Sequence, residues 1–441
     1  MSTRSTALAI ARAMLTTPVS RFGMLERMPL CTRFSAEANV ELVDIMLGKG
    51  LTSRWTVERL ADALEDEPTF YIACDMAKQR PLIHGWFMTR AMTLGPGPPA
   101  LRNVERPHWP SIGALAEGLG VPLPGLWRLT RSASWQRQAP LSQQHYRYEL
   151  LPKRTGGWRL LEVPEPYLCA LQRRVLDDLL AHVPPHEAAC GYVRGRSVLD
   201  HARAHAGQAV LLKFDLQDFF ATVRASRVHA TFAELGYSQA VARELMALCT
   251  TATPEPVLER LRTEGGLSWT QAMRLRDAHL PQGAPTSAAL ANLCAFRLDT
   301  RIAGLARELG ARYTRYADDI VLSGDTSLRR WADRIEARVG GFALDEGFAL
   351  NRRKTRRVSR GRRQQVCNIV VNERPNLPRG EFDRLKAQLH RCATLGPSTQ
   401  NREGLPHWEQ HLRGRVAWAA QLNAQKAQRL RRLLDRIDWS A

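Results

Sequence analysis

Two adjacent aspartates, Asp318 and Asp319, lie between two stretches of strand-forming residues. Alternating residues run into Tyr316 and an apolar run follows Asp319, which predicts a β-hairpin. Ala317 and Asp318 then form its tip. Adjacent carboxylates between buried strands repel each other and resist desolvation unless a divalent cation compensates them. Asp is also common at hairpin tips, so the pair taken alone indicates only a turn.

A third carboxylate, Asp215, indicates that the pair could bind metal ions. Asp215 lies near the end of the apolar stretch 210–220, which predicts a second strand. Carboxylate oxygens on neighbouring strands suit Mg²⁺, which takes its remaining ligands from water and substrate phosphates. Two such ions about 4 Å apart activate an attacking oxygen and stabilise a leaving one in phosphoryl transfer. The three aspartates therefore predict a two-metal phosphoryl-transfer site.

Three motifs in order resemble the palm of a reverse transcriptase. They are Phe214-Asp215, the heptapeptide Pro-Gln-Gly-Ala-Pro-Thr-Ser at 281–287, and Tyr-Ala-Asp-Asp at 316–319. The heptapeptide, followed by Asn292 and Leu298-Asp299, resembles the bacterial retron class most closely. The resemblance implies an RNA-directed DNA polymerase in which Asp215, Asp318 and Asp319 are catalytic and hold two Mg²⁺, with Mn²⁺ as an alternative ion.

The charge of the chain indicates a polyanionic partner. Lys and Arg number 63 against 43 Asp and Glu in 441 residues, a net charge of +20. This excess fits nucleic acid, although a solubilising charge without a partner is the plainer alternative. Eight basic residues between Arg352 and Arg363 argue against even dispersal. Nucleic acid is the favoured interpretation.

Compartment signals are few. The eight cysteines include no Cys-x-x-Cys pair, so reduced thiols in a bacterial cytoplasmic protein are expected. No apolar run approaches the roughly 18 residues of a membrane span, and no membrane association is expected. The first 25 residues carry arginines and no acid before Glu26, which superficially resembles a transit peptide. An ordinary basic helix is the preferred interpretation.

The elements that position these residues begin with a hairpin. Residues 146–164 form two strand patterns around Thr155-Gly-Gly157, which predicts a β-hairpin. By resemblance to the fingers of reverse transcriptases, Lys153 and Arg159 contact the triphosphate of a deoxynucleotide. Read without the palm motifs, they are exposed hairpin charges.

Further substrate contacts also follow from the resemblance. Phe220 occupies the steric-gate position, where a bulky ring clashes with a 2′-hydroxyl, whereas Phe219 is expected in the core. Gln282 is expected near the nascent base pair. Lys354 is the candidate general acid for the pyrophosphate leaving group, with a plain phosphate contact as its alternative.

Predicted RNA and template contacts lie in three places. Arg194 and Arg196 belong to a glycine-punctuated basic loop suited to a phosphodiester. His205 fits the last position of a retron Asn-Ala-x-x-His element, and His201 replaces its Asn. A histidine metal pair at these two positions is the weaker alternative, and a structural helix start is the other. In the expected thumb, the basic segment 412–418 provides Arg413 and Arg415.

The predicted fold class is α+β, a right-hand polymerase with fingers, an antiparallel palm sheet and a helical thumb. Residues 1–106 are expected to be a mostly helical N-terminal extension, with helices at 56–64 and 88–94. Residues 107–372 are assigned to fingers and palm, and residues 373–441 to the thumb. No chemistry is assigned to the extension.

The resemblance implies a structured non-coding RNA as template and primer, a single-stranded cDNA product that is branched to RNA, and anti-phage defence with an effector protein. Residues 366–368 keep only the Val of the retron Val-Thr-Gly triplet, because Cys367 and Asn368 replace the other two. This departure motivates an alternative, a defence-associated reverse transcriptase outside the retrons. An RNA-binding scaffold with a vestigial polymerase site is the other.

Overall fold

A computed structural model describes residues 3–15, 19–52, 55–77, 82–84, 106–152 and 158–439. The chain divides into two compact units. The first comprises Met1–Arg102, His108–Leu123 and Ala233–Arg243, and the second comprises the rest. Within the described residues, no helix combines the length and the apolar character that crossing a membrane requires.

The N-terminal part of the first unit is a small bundle of short helices. Its core is rich in alanine and methionine, and Met14, Met24, Met28 and Met46 are all fully buried. Side chains of Ser20, Ser35 and Thr56 accept backbone hydrogen bonds at the starts of three of the helices. The helices of this region are α1 (Thr3–Leu15), α2 (Arg21–Cys31), α3 (Ala36–Gly48), α4 (Val57–Glu65) and α5 (Pro68–Met76). The expected helix at 56–64 is present, whereas the one at 88–94 lies outside the described residues.

The predicted fingers hairpin is present. After the short helices α6 (Ile112–Gly118), α7 (Leu123–Leu129) and α8 (Ala133–Gln138), strand β1 (Tyr146–Pro152) pairs antiparallel with β2 (Trp158–Pro164). Tyr146 pairs with Pro164 and Pro152 with Trp158, so the strands are in register over their whole length. The tip of the hairpin lies outside the described residues.

A four-stranded antiparallel sheet forms the centre of the second unit. Its strands are β3 (Val210–Asp215), β4 (Arg312–Tyr316), β5 (Asp319–Gly324) and β6 (Arg356–Ser359), in the spatial order β4-β5-β3-β6. Leu211, Leu212, Val321 and Leu322 are almost fully buried on the two inner strands. Of the carboxylates predicted to be catalytic, Asp215 and Asp319 therefore lie at the ends of the two inner strands, and Asp318 lies in the turn just before Asp319.

Helices precede and connect the strands of this sheet in the chain. Apolar residues keep a helical spacing from Thr286 to Leu305, but the segment forms two helices with a break at Ala295, which is the last cap of one and the first cap of the other. The helices of this part are α9 (Pro166–Asp178), α10 (Val198–Ala204), α11 (Ala225–Glu234), α12 (Gln239–Cys249), α13 (Glu255–Gly265), α14 (Trp269–Arg276), α15 (Ser287–Cys294), α16 (Phe296–Glu308) and α17 (Ala332–Asp345). The mixture of helices and antiparallel sheets agrees with the predicted α+β class.

The C-terminal segment is helical, as predicted. It follows a minimal hairpin of β7 (Gln365–Val366) and β8 (Ile369–Val370), and consists of α18 (Arg379–Leu395), α19 (Trp408–Leu422) and α20 (Ala424–Leu434). Leu389, Leu412 and Leu430, one from each helix, are fully buried in a shared core. The basic side chains are left on the outer surfaces of these helices.

Candidate active site

The turn between β4 and β5 carries Asp318 and Asp319. Ala317 adopts a positive φ of 54° and is only 6% exposed, so the chain reverses tightly within the protein. Tyr316 pairs with Asp319 across the turn, which leaves Ala317 and Asp318 as the two tip residues. The predicted hairpin and its tip are confirmed.

Asp215 lies directly opposite Asp319 on the adjacent strand. The backbone amide of Leu216 donates to the carbonyl of Asp318 at 3.0 Å, which extends the contact to the tip. On the other side, the amide of Asn351 donates to the carbonyl of Asp215 at 2.7 Å. Backbone contacts on both sides therefore hold Asp215 against the hairpin, and the structure brings Asp215 together with two carboxylates that follow it by more than a hundred residues in the chain.

The three carboxylates line one open pocket of about 300 Å³ with Lys213, Phe214, Lys354 and Arg356. Lys354 donates from Nζ to Oδ2 of Asp215 at 2.8 Å. Burial lowers the pKa of Lys354, but the hydrogen bond to Asp215 and the charges of all three aspartates outweigh it, so the pKa is raised. Lys354 is therefore an ammonium group that holds a proton to donate in this pocket.

The environment of the carboxylates opposes their ionisation. Burial, together with the charges of Asp319 and Asp215, raises the pKa of Asp318 to about 6. Burial also raises the pKa of Asp319, an effect that Lys213 opposes and Asp215 strengthens. Two crowded carboxylates with raised pKa values favour any added positive charge. The pocket thus has the electrostatics of a cation site.

The donor set fits a divalent cation. All three acids offer hard oxygen ligands, which suit Mg²⁺ or Mn²⁺, and their crowding creates the negative charge that such an ion would neutralise. Among the described residues, no three histidine, cysteine or acidic side chains already converge on one point as ligands. One oxygen of Asp215 is engaged by the Lys354 ammonium instead. The residues present could hold an ion after a local adjustment of these side chains.

Two aromatic rings lie beside the tip. The half-buried ring of Phe220 is 6.3 Å from that of Tyr192, which is in turn 6.2 Å from Tyr316. Burial and the charge of Asp318 raise the pKa of Tyr192, while the charge of Arg159 opposes them. Phe219, by contrast, is buried against Phe348, as expected of a core residue. Phe220 is thus available to a substrate, and Tyr192 joins it.

A buried polar network supports the tip from behind. Arg315 and Asp299 are both fully buried and form two hydrogen bonds, from Nε at 2.8 Å and from Nη2 at 2.6 Å. Tyr313 also donates to Asp299, at 2.5 Å. Removing one partner of such a pair leaves an uncompensated buried charge, which costs about 3–5 kcal/mol. Asn292 completes the network by accepting from Arg315 Nη1 at 3.0 Å.

The predicted triphosphate and base-pair contacts are placed only in part. Arg159 is exposed on β2, opposite Leu151, whereas Lys153 lies outside the described residues. The carbonyl of Gln282 accepts from the amide of Glu162 at 2.9 Å, which joins its loop to β2. Glu162 is itself buried. Its Oε1 accepts from the hydroxyl of Thr253 at 2.8 Å, and its Oε2 lies 2.9 Å from Nε2 of His279. Gln282 is therefore held by a supported loop beside the fingers hairpin.

The predicted RNA-contacting arginines differ in availability. Arg194 is exposed, but Arg196 donates to the backbone carbonyl of Glu187. Arg413 forms an exposed ion pair with Glu409 at 2.7 Å. Arg415 donates to Gln388 at 2.9 Å and lines a cleft of about 580 Å³ between helices of the C-terminal segment. The other side chains lining this cleft are Glu381, Arg384, Ala387, Gln388, Arg391, Gln400 and Arg402.

The structure corrects the prediction for His205. Its ring is fully buried, and its two nitrogens lie 2.6 Å from the hydroxyl of Ser323 and 2.8 Å from that of Thr314. Burial lowers the pKa of His205 well below its ordinary value, so the ring is neutral. His201 is also fully buried and shares the Thr314 hydroxyl. His205 therefore joins α10 to the sheet, and its fully buried ring leaves no surface for an RNA contact.

Cys367 and Asn368 form the turn between β7 and β8, with positive φ values of 44° and 64°. Sγ of Cys367 donates to Oδ2 of Asp319 at 3.5 Å. Burial and the charge of Asp319 raise the pKa of Cys367 to about 12, so the thiol keeps its proton. The departure from the Val-Thr-Gly triplet thus lies against a catalytic candidate.

Sequence reasoning missed Tyr192 and Arg315 as parts of this site. Tyr192 follows Gly191 in the basic loop, whose pattern of glycines and arginines predicts a phosphodiester contact and no role for the tyrosine. Arg315 lies three residues before Asp318, inside the strand pattern itself. A full-length cationic side chain at an inward-facing strand position was the one available signal, because arginine is almost never fully buried without a partner.

Comparisons with known proteins agree with this geometry. A family model described as reverse transcriptase (RNA-dependent DNA polymerase) matches residues 151–396. The chain is 37% identical over 370 residues to the retron Mx65 reverse transcriptase of Myxococcus xanthus, covering 81% of this chain and 80% of the relative. It is 27% identical over 343 residues to the retron Ec86 reverse transcriptase of Escherichia coli, covering 77% and 92%. The match confirms the predicted polymerase fold.

A solved structure shows a weaker likeness. A telomerase from Candida albicans, determined with a fragment of telomeric RNA, superposes with a TM-score of 0.38 at 11% identity. The superposition covers 68% of this chain and 57% of that one.

Proposed function

The chain belongs to the bacterial retron reverse transcriptases, and from that premise we propose that it copies a structured non-coding RNA into single-stranded DNA by two-metal nucleotidyl transfer. It is an RNA-directed DNA polymerase. The observation that carries the proposal is Asp215 lying opposite Asp319 in a pocket shared with Asp318. Bound there, a pair of Mg²⁺ or Mn²⁺ ions would lower the pKa of the attacking hydroxyl and stabilise the leaving oxygen.

The pocket's own cations complete the chemistry. Lys354 is a protonated side chain on Asp215, so it can donate to the pyrophosphate that leaves or neutralise its charge. Arg356 lines the same pocket and adds positive charge. In the fingers, Arg159 and Lys153 are proposed to contact the incoming triphosphate, and Gln282 to contact the nascent base pair.

Phe220 is proposed to select deoxynucleotides. Its ring is half-buried next to Tyr192, within the group of aromatic side chains at the tip. A ring beneath the incoming sugar would clash with a 2′-hydroxyl. Replacing it by valine should raise the relative incorporation of ribonucleotides while deoxynucleotide incorporation is largely kept. Unchanged sugar selectivity in Phe220→Val would remove Phe220 from this role.

RNA recognition is proposed to involve Arg194, Arg196, Arg413 and Arg415. Arg415 has the strongest support, because it lines a cleft with three further arginines. The family premise extends to a branched RNA-DNA product primed from a 2′-hydroxyl, to anti-phage defence with an effector protein, and to action in the bacterial cytoplasm. The division into an extension (1–106), fingers and palm (107–372) and thumb (373–441) is part of the same proposal.

The polymerase test compares three proteins on one RNA template. Purified wild type, with Mg²⁺ and labelled deoxynucleotides, should extend a primer, and Asp318→Ala should not. The matched control is Asp218→Asn, which removes a nearby carboxylate that pairs with Arg274 at 2.9 Å outside the pocket. It should retain activity. Wild-type activity in Asp318→Ala would contradict the assignment of the site.

A second experiment tests the retron product. DNA copurified with the protein from its natural host should be joined to RNA through a 2′-linkage and should be released by a debranching enzyme. A free or protein-linked 5′ end would favour the alternative of a reverse transcriptase outside the retrons, which the Cys367-Asn368 turn motivates.

A further inference from the structure

We propose that Arg315 is a positioning residue for polymerisation: its buried guanidinium locks the catalytic turn and the Tyr192 loop in one fixed relationship. The inference rests on the proposed function of this site and deepens it. Arg315 is fully buried and does not line the pocket of the three carboxylates. It acts through Ala317 on one side and through Asn292 on the other.

The first contact is with the turn itself. Nη1 of Arg315 donates to the carbonyl oxygen of Ala317 at 3.0 Å. Strand β4 ends at Tyr316 and β5 begins at Asp319, so the carbonyl of Ala317 lies outside the strand pairing. Ala317 also has the positive φ, a conformation that needs support in a residue other than glycine. The guanidinium supplies this support one residue before Asp318.

The second contact reaches the Tyr192 loop. The same Nη1 donates to Oδ1 of Asn292 at 3.0 Å, and Nδ2 of Asn292 donates to the carbonyl of Gly191 at 2.9 Å. A side chain at Gly191 would lie 2.7 Å from the backbone nitrogen of Ala317, so the two segments are in direct backbone contact. Tyr192, the next residue, has a positive φ of 60° and holds its ring beside Phe220.

The backbone of Arg315 strengthens the same connection. Its amide donates to Ala188 at 2.8 Å, and its carbonyl accepts from Cys190 at 2.7 Å. One residue therefore joins the 188–192 segment, the palm helices and the catalytic turn. The ion pair with Asp299 keeps the guanidinium plane fixed while Nη1 faces the turn.

If Arg315 served only the stability of the fold, apolar side chains could take the place of its ion pair with Asp299. Buried ion pairs can often be replaced by apolar side chains of similar volume without loss of stability. The geometry instead places a donor between the carbonyl of Ala317 and the amide group of Asn292. A shift of about 1 Å in a catalytic group can cost about 100-fold in rate. The fixed fork of arginine suits this task, and lysine, a single flexible charge, does not.

The test is Arg315→Lys, which keeps the charge beside Asp299 but cannot form the fork. We expect kcat for RNA-templated synthesis to fall about 100-fold. Mn²⁺ affinity, measured directly by the electron paramagnetic resonance of the free ion, should weaken about tenfold, with the KM for RNA unchanged. Arg301→Lys, in an exposed ion pair of α16 with Asp345, is the matched control and should change neither quantity.

A second variant separates positioning from folding. Replacing Arg315 by Met, Asp299 by Leu and Tyr313 by Phe together removes the buried charges and the hydroxyl that Asp299 accepts. This protein should melt near the wild-type temperature yet keep kcat about 100-fold low. Recovery of wild-type kcat in this variant, or wild-type kcat and Mn²⁺ affinity in Arg315→Lys, would overturn the proposal. A wild type that makes no DNA would instead overturn the polymerase assignment, and the Mn²⁺ titration would still test Arg315.

Discussion

The catalytic turn between β4 and β5 and the arginine-lined cleft of the C-terminal segment differ in how their charges are compensated. Behind the turn, Arg315 and Asp299 are fully buried and satisfied by each other and by neighbouring groups. In the cleft of the C-terminal segment, four arginines are accompanied by one acid, Glu381. Within the described residues, none of these four arginines forms an ion pair. The cleft therefore leaves its positive charge for an external partner.

The difference indicates which region provides precision and which provides affinity. A buried, internally satisfied network costs several kcal/mol to break and so holds backbone atoms in place. Exposed cations contribute little to stability, but they attract a polyanion in a salt-dependent manner. Substitutions in the palm should therefore change rates and leave the salt dependence alone. Substitutions in the cleft should change the salt dependence of RNA binding and leave the rates unchanged.

The largest effect is expected for Asp319→Asn. Losing one of three carboxylates removes several kcal/mol of charge stabilisation, so kcat should fall about 1,000-fold. RNA affinity and its salt dependence should match the wild type, because the cleft is unaltered. Primer extension and filter binding measure the two quantities. A parallel loss of RNA binding would break the comparison.

Gly191→Ala should be the next most severe. The added methyl group would lie 2.7 Å from the backbone nitrogen of Ala317, so the Gly191 loop and the catalytic turn must move apart. We expect kcat to fall about 100-fold. The control is Gly304→Ala on α16, where a methyl group meets nothing within 4 Å. Equal rates for the two variants would show that the contact between the loop and the turn is dispensable.

A third prediction concerns the stability of the metal-free protein, measured in the presence of a chelator. The pKa of Asp318 is raised from 3.8 to about 6 in the folded protein. Its contribution to stability is therefore fully present below about pH 4 and is lost as the pH rises through 6. The loss should amount to about 2 kcal/mol after allowance for partial exposure.

Urea unfolding from pH 4 to 7 measures this contribution as the difference from Asp318→Asn. The substituted protein should become relatively more stable as the pH rises, and added Mn²⁺ should remove the wild-type loss. Parallel stability curves in the chelator would show that the turn does not carry the crowded charge described here.

The smallest effect is expected for the double substitution Arg384→Gln and Arg391→Gln. Two phosphate contacts fewer should weaken RNA binding about tenfold and flatten the slope of log Kd against log salt by about 2. At saturating RNA, kcat should be unchanged. Arg379→Gln is the matched control, since this residue lies on the same helix but forms an exposed pair with Asp383. An unchanged slope would exclude the cleft as a phosphate site.

The sequence predicted the catalytic carboxylates better than the elements and contacts that support them. Asp215, Asp318 and Asp319 could be placed because they stand in strand patterns and in two of the three motifs that resemble the palm of a reverse transcriptase. The role of Phe219 as a core residue was also predictable. The break at Ala295 was not, because apolar spacing continues through it and only the cap hydrogen bonds reveal it.

Long-range polar contacts explain most of what was missed. His205 is buried because hydroxyls of Thr314 and Ser323, more than a hundred residues away, satisfy both its nitrogens. In the sequence, Asn292 and Asp299 are recognisable only as parts of a motif, and their common partner Arg315 is one more residue of a strand pattern. No local pattern predicts such pairings, because they depend on which elements pack together.

In the chain, strand β3 with Asp215 precedes the exposed loop at Gly266, and strand β5 with Asp319 follows it. This loop joins α13 to α14. A break in the chain at that loop would yield one fragment with the first acid and another with the remaining two. Neither fragment alone would contain a reaction centre. The centre would arise only when the two central strands pair across the cut, so DNA synthesis by separately made halves would report their assembly.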